Sequence, residues 1–312
     1  MSDIKNTILA TPNGQEQYDT ICKELLSNRQ ILARLLKRFV KEYKDCDVCT
    51  IENKCIEPGS IRISKEPVER NLTNMQICGI NTEDKTINEG TIFYDIMFRA
   101  AFPDNQGKEI GLIINVEAQS DFYPGYGIES RGVYYAARKL SSELRSIGRN
   151  TDYSALEKVY SIWLCMGRNV PKKEADTVTL YEIGKNDIIG KVEREERCYN
   201  LLSVIIARVG SNGAAKDELL CLIETLFSRT IPKKAKLREL EKLGIRIDCV
   251  IEEGVGHMCT LGEELYESAA EKTKKEMVLA MYKRHIPTKE IAEIAQITEE
   301  QAKQWVSEAK TM

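Results

Sequence analysis

The residues of this chain best suited to chemistry are two acids, Asp95 and Glu117, carried by neighbouring stretches that read as β-strands. Residues 91–102 contain Asp95, and residues 109–119 close in Glu117-Ala118-Gln119. A polar turn through Pro103, Asp104, Asn105, Gln106 and Gly107 joins the two stretches as a hairpin. Side chains alternate along a strand, so Asn115, Glu117 and Gln119 share one face, while Ile114, Val116 and Ala118 take the other. A turn centred near Asn105 and Gln106 sets Asp95 opposite positions 116–117, where its carboxylate can approach that of Glu117. Two carboxylates brought together between apolar strands repel each other unless a proton or a cation separates them. A divalent metal is the natural occupant of such a place.

The elements around this pair read as follows. Residues 18–43 form a helix in which Ile21, Leu25, Ile31, Leu32, Leu35, Leu36 and Phe39 recur at helical spacing. Its other face carries Lys23, Arg29, Arg34, Lys37, Arg38 and Lys41, which suits either plain solvation or a phosphate backbone. Residues 45–90, interrupted by Pro58, Gly59, Pro67 and Gly79, read as loop with short strands. A helix over 126–147 places Arg131, Tyr135 and Lys139 on one face at i, i+4 and i+8. Residues 159–165 and 177–183 alternate like strands, and two helical patterns split at Gly210–Gly213 run from 194 to 229. The tail from 271 reads as short helices over 275–285, 288–295 and 299–309, with Thr298 as an N-cap for the last. Its spacing resembles a helix-turn-helix, but Glu299, Glu300 and Glu308 make a poor surface for a major groove, so a packing hairpin is expected.

The whole is an α+β pattern, a central mixed sheet flanked by helices with a helical C-terminal region. Residues 1–190 are expected to form the main domain and 191–312 the helical region. Hydrophobic residues at 42% and charged residues at 30% fit a soluble globular chain, and no apolar run reaches the ~18 residues that span a bilayer. The N-terminal stretch lacks a secretory signal, and ten scattered cysteines favour free thiols in a reducing cytoplasm. A net charge of −3 argues against non-specific coating of nucleic acid, while leaving room for a local patch and a metal. Cys46-Asp47-Val48-Cys49, with Cys55 near, has the first spacing of a zinc knuckle but lacks a second Cys/His pair. Gly210-Ser211-Asn212-Gly213 lacks the lysine of a nucleotide cradle, and Trp163 reads as core.

Taken in order, Asp95, the Glu117-x-Gln119 strand end and the helix with Arg131 and Tyr135 resemble the PD-(D/E)XK nuclease superfamily. The closer likeness is to its recombination-promoting nuclease or transposase branch. Residues 112–120, Leu-Ile-Ile-Asn-Val-Glu-Ala-Gln-Ser, are similar to that branch's strand motif, and Arg131 to Tyr135 look like its Arg-x-x-x-Tyr helix motif. Asp19-Thr20-Ile21-Cys22-Lys23 resembles its opening Asp-x-x-Phe-Lys signature, with Cys22 where a large apolar residue is usual, and Ile291-Ala292-Glu293-Ile294 its C-terminal extension.

The resemblance implies a restriction-endonuclease-like core and a DNA endonuclease in which Asp95 and Glu117 hold Mg²⁺, with Mn²⁺ as substitute. Gln119 would orient water where lysine is usual, without lysine's charge. An acid of the first helix, Glu24 or Asp19, would complete the site. Arg131 suits a phosphate or the bracing of Glu117, and Lys23, Arg34, Lys37, Arg131 and Lys139 are candidates for DNA contact. DNA is the expected partner, with a homodimer for double-strand cutting and neither a membrane nor a small-molecule cofactor. The alternative, motivated by Gln119 and the acidic balance, is a catalytically idle DNA-binding or assembly protein that keeps the fold.

Overall fold

The computed structural model describes residues 12–63, 83–86, 90–93, 95–103, 109–119, 123–143, 153–166, 170–210, 216–228 and 230–311. Two compact units make up the chain: Asp19–Gly256, and His257–Met312 together with Met1–Tyr18. The larger unit is an α+β structure around a six-stranded mixed sheet. Among the described residues no helix is long and apolar enough to cross a membrane.

The stretch expected as one N-terminal helix is two, α1 (Pro12–Leu26) and α2 (Arg29–Phe39). Asn28 makes the break: its extended backbone stops the first helix, and its side chain caps the second by accepting from the Gln30 N–H at 2.9 Å. Leu32, Leu35 and Leu36 of α2 are buried as the periodicity predicts. Beyond α2, short helical turns at Lys41–Tyr43, Val48–Thr50 and Ile51–Cys55 lead to strand β1 (Arg62–Ile63).

The stretch 91–102, expected as one strand, also divides. Strand β3 (Gly90–Phe93) pairs with β2 (Glu83–Thr86) in a small sheet of its own. Strand β4 (Ile96–Pro103) pairs antiparallel with β5 (Glu109–Gln119), from Ile96 opposite Val116 to Pro103 opposite Glu109. Asp95 therefore stands at the entry of β4 rather than inside a strand, and residues 104–107 of the expected turn lie outside the described residues.

The sheet order is β1-β4-β5-β6-β8-β7, with β6 spanning Lys158–Cys165, β7 Thr177–Glu182 and β8 Leu202–Arg208. Helix α3 (Ile128–Glu143) provides the crossover that lets β6 run parallel to β5, and β8 runs parallel to β6. Strands β6 and β8 are buried along almost their whole length, as parallel strands covered on both faces must be. Edge strand β7 alternates exposed and half-buried residues.

Strand β8 corrects the sequence reading, in which a helix was expected between 194 and Gly210. The run Ser203-Val204-Ile205-Ile206-Ala207 is apolar on both sides because it sits inside the sheet, and a continuous apolar run carries no period that separates strand from helix. This strand lies past residue 190, in the region expected to be helical. The second helix of that pattern is observed as α4 (Glu218–Phe227), capped by Asp217. Helices α5 (Lys233–Lys242) and α6 (Cys249–Lys283) follow, then α7 (Thr288–Ala295) and α8 (Glu299–Thr311). The expected Thr298 cap is present, its Oγ1 accepting from the Gln301 N–H at 3.2 Å. Val278, Ile291, Ala295, Ala302 and Trp305 form the small core of this helical tail.

One sheet face is covered by α3. Met97, Ile113, Val159, Trp163, Val204 and Ile206 meet Ile128, Tyr135 and Ala136 of the helix. Gly132 permits the approach, because a Cβ there would stand 2.6 Å from Val204 Cγ1 and 3.0 Å from Trp163 Nε1. The opposite face meets the 41–56 segment, where the Tyr43 hydroxyl donates to the Ala101 carbonyl at 2.9 Å and the Tyr160 hydroxyl to Glu42 at 2.5 Å. Gly132→Ala is expected to lose about 1–2 kcal/mol in chemical denaturation, since overpacking outweighs the ~1 kcal/mol helix-propensity gain. Unchanged stability would show that α3 is not held this tightly.

Candidate functional site

The register that pairs Ile96 with Val116 carries one residue further to set Asp95 against Glu117. The contact is reciprocal. The Asp95 backbone N–H donates to Glu117 Oε1 at 3.2 Å, and the Ala118 N–H donates to Asp95 Oδ2 at 3.1 Å. Each acid is thus oriented by the main chain of the other's segment.

A third charge joins them from α1. Lys23 Nζ lies 2.8 Å from Asp95 Oδ1, and both side chains are largely buried, at 16% and 19% exposure. Burial by itself would lower the ammonium's pKa. The Asp95 carboxylate, with Glu117 and Asp19 adding their attraction, outweighs burial and raises it above the ordinary value. Asp19 sits one helical turn before Lys23 and is half-buried, whereas Glu24 is exposed.

Glu117 is the buried member of the pair, at 5% exposure. Burial, then the neighbouring Asp95 charge, pushes its pKa well above the ordinary 4.5, against the Asp95 N–H, the Asn115 side chain and Arg131, which favour the anion. Asn115, on the same strand face, is buried and also lies 3.4 Å from the Ser161 hydroxyl, which accepts from Trp163 Nε1 at 2.9 Å. Among the described residues its Oδ1 has no hydrogen-bond partner.

Behind Glu117, helix α3 holds Arg131 in an aromatic box. Its guanidinium donates to the Tyr126 hydroxyl at 2.6 Å and the Tyr135 hydroxyl at 2.8 Å, and lies 5.3 Å from the centre of the Trp163 ring. Burial opposes the Arg131 charge, and Tyr135 with Glu117 restores it. The Arg131 charge favours the Glu117 anion, the last in order of the influences on that carboxyl. Trp163, expected only as core, is also a wall of this box.

The structure therefore gathers Asp95, Glu117, Lys23, Arg131 and Tyr135, with Asp19 acting on Lys23. The Gln119 backbone pairs with Cys165 of β6, and its side chain lies outside the described residues. The remaining three of the expected DNA contacts are, like Lys23 and Arg131, engaged internally. Arg34 donates to the Gln30 and Gly244 carbonyls, Lys37 to the Lys44 carbonyl at 2.6 Å, and the buried Lys139 pairs with Glu143 at 3.6 Å. Among the described residues no group of three or more His, Cys, Asp and Glu side chains is arranged to hold a metal, at Cys46, Cys49 and Cys55 or elsewhere. Two signals in the sequence were available for what was missed. Lys23 lies four residues after Asp19, and Asn115 two before Glu117.

The donor set suits a hard cation nonetheless. Two carboxylates are the ligand type Mg²⁺ accepts, and Mg²⁺ is ordinarily held by one or two carboxylates with water and phosphate filling the rest. No family model matches this chain, and no curated protein or solved structure is similar to it.

A carboxyl whose native pKa exceeds its unfolded value stabilises the fold fully below the unfolded value, and that contribution is lost as pH rises through the native one. Glu117→Gln, in chelator, should therefore gain melting temperature relative to the wild type in the window that opens as pH rises above the ordinary 4.5. Parallel melting curves across that window would mean Glu117 is not the strained acid described.

Proposed function

We propose that this protein is a Mg²⁺-dependent DNA endonuclease with a restriction-endonuclease-like core, of the recombination-promoting kind that its motifs resemble. The observation that carries this reading is the reciprocal locking of Asp95 and Glu117 through each other's strand backbone. Main-chain donors hold both acids at one spot at the end of the β4–β5 pair. An antiparallel hairpin followed by a helical crossover to a parallel strand is the topology that such a core requires, which also supports it.

Asp95 and Glu117 would hold the metal, which supplies Lewis acidity at the phosphate and a lowered pKa for the attacking water. Arg131 would favour the Glu117 anion against burial and the Asp95 charge, while its aromatic box restricts the guanidinium. Gln119, two residues along β5, is the amide assigned to orienting water. Hydrolysis forms one P–O bond to the water oxygen and breaks the P–O bond to one sugar, whose oxygen leaves with a proton. One site cuts one strand, so a homodimer would serve double-strand cleavage.

A second reading rests on the same residues. Lys23 neutralises Asp95 at 2.8 Å, and Arg131 counters Glu117, a charge balance that a catalytically idle DNA-binding or assembly protein would keep. Nicking of supercoiled plasmid decides between them. The wild type should nick only with Mg²⁺ or Mn²⁺, and Asp95→Ala should slow nicking roughly a hundredfold or more. Metal-independent nicking, or equal rates for the variant, would remove the nuclease assignment.

A further inference from the structure

We infer that the Lys23 ammonium is the resident counter-cation of the acidic pair and that a divalent metal loads by displacing it from Asp95. The inference rests on the nuclease reading and adds to it the step that controls metal affinity. Its basis is how the oxygens of Asp95 are shared out. Oδ2 accepts the Ala118 N–H at 3.1 Å, and Oδ1 takes Lys23 Nζ at 2.8 Å. Glu117 Oε1 is engaged by the Asp95 N–H at 3.2 Å. The oxygen of Asp95 that the strand backbone does not hold is therefore the one the ammonium holds, so a metal bound there meets Lys23 as a direct competitor.

The chemistry of lysine suits this exchange. Its ammonium is a compact, strongly hydrated point charge on a flexible four-carbon stem, so it can leave the carboxylate for water or for a phosphate without moving α1. An arginine fork in its place would grip the carboxylate through two parallel hydrogen bonds and resist displacement. The pull of Glu117 and Asp19 on the same ammonium, beside that of Asp95, marks this spot as the place where the local negative field converges. A nucleic-acid phosphate that draws Lys23 away would tighten metal binding, and by linkage bound metal would tighten the nucleic acid.

Isothermal titration with Mn²⁺ alone, in the absence of DNA, tests the exchange without using activity. Lys23→Gln removes the competitor and keeps the length of a polar chain, so it should bind Mn²⁺ roughly tenfold tighter than the wild type. Lys23→Arg retains the charge and strengthens the grip, so it should bind more weakly than the wild type, and it keeps the test informative if the glutamine variant fails to fold. Asp95→Asn should lose most of the binding. Equal affinities for wild type, Lys23→Gln and Lys23→Arg, with binding lost in Asp95→Asn, would overturn the displacement while leaving the metal site standing. Absence of Mn²⁺ binding in all four proteins would overturn the metal reading and the displacement with it.

Discussion

Two like charges fixed across neighbouring strands are the constraint on which the rest of this molecule depends. Asp95 and Glu117 cannot relax away from each other, because each accepts a backbone N–H from the strand that carries the other. Their repulsion is met from outside the pair, by the Lys23 ammonium on one side and the Arg131 guanidinium on the other. Burial sharpens the balance. An effective dielectric well below that of water strengthens both the repulsion and its compensation, so neither counter-charge can be lost without consequence.

The helices are placed to deliver those counter-charges. Helix α1 brings Lys23 to Asp95, and α3 brings Arg131 up to the Glu117 side of the sheet. Gly132 beside Arg131 lets α3 approach Val204 and Trp163 closely, and the Trp163 ring then becomes part of the arginine's box. Packing and electrostatics share residues here. The glycine that fills no space and the tryptophan that fills the core together fix where a positive charge stands.

The hairpin geometry was legible because strand alternation is a local rule. The expected placement of Asp95 opposite 116–117 follows from strand period and turn position alone, and the β4–β5 register agrees with it. The break at Asn28 escaped the reading because the apolar stripe continues in phase across it, while the break depends on one extended residue whose side chain caps the next helix at the Gln30 N–H. The strand at Leu202–Arg208 escaped for another reason: buried on both faces, it has no polar side to reveal a period of two. Arg34 and Lys37 belonged to the basic face and Lys139 was a candidate DNA contact, yet their charged ends meet the Gly244 and Lys44 carbonyls and, within its own helix, Glu143.

By itself the sequence determined the residue types of the acidic pair, their strand phase, the α+β pattern and the spacing of Arg131 from Tyr135. These are short-range properties, set by periodicities of two and of 3.6 that any reader of the chain can count. Only the tertiary structure decided which cation faces which acid. Lys23 and Asp95 are separated by the helical segment and the small sheet, and their 2.8 Å approach depends on where α1 is placed beside the strand entry. Long-range electrostatic partners follow from the packing of whole elements, which no local pattern encodes.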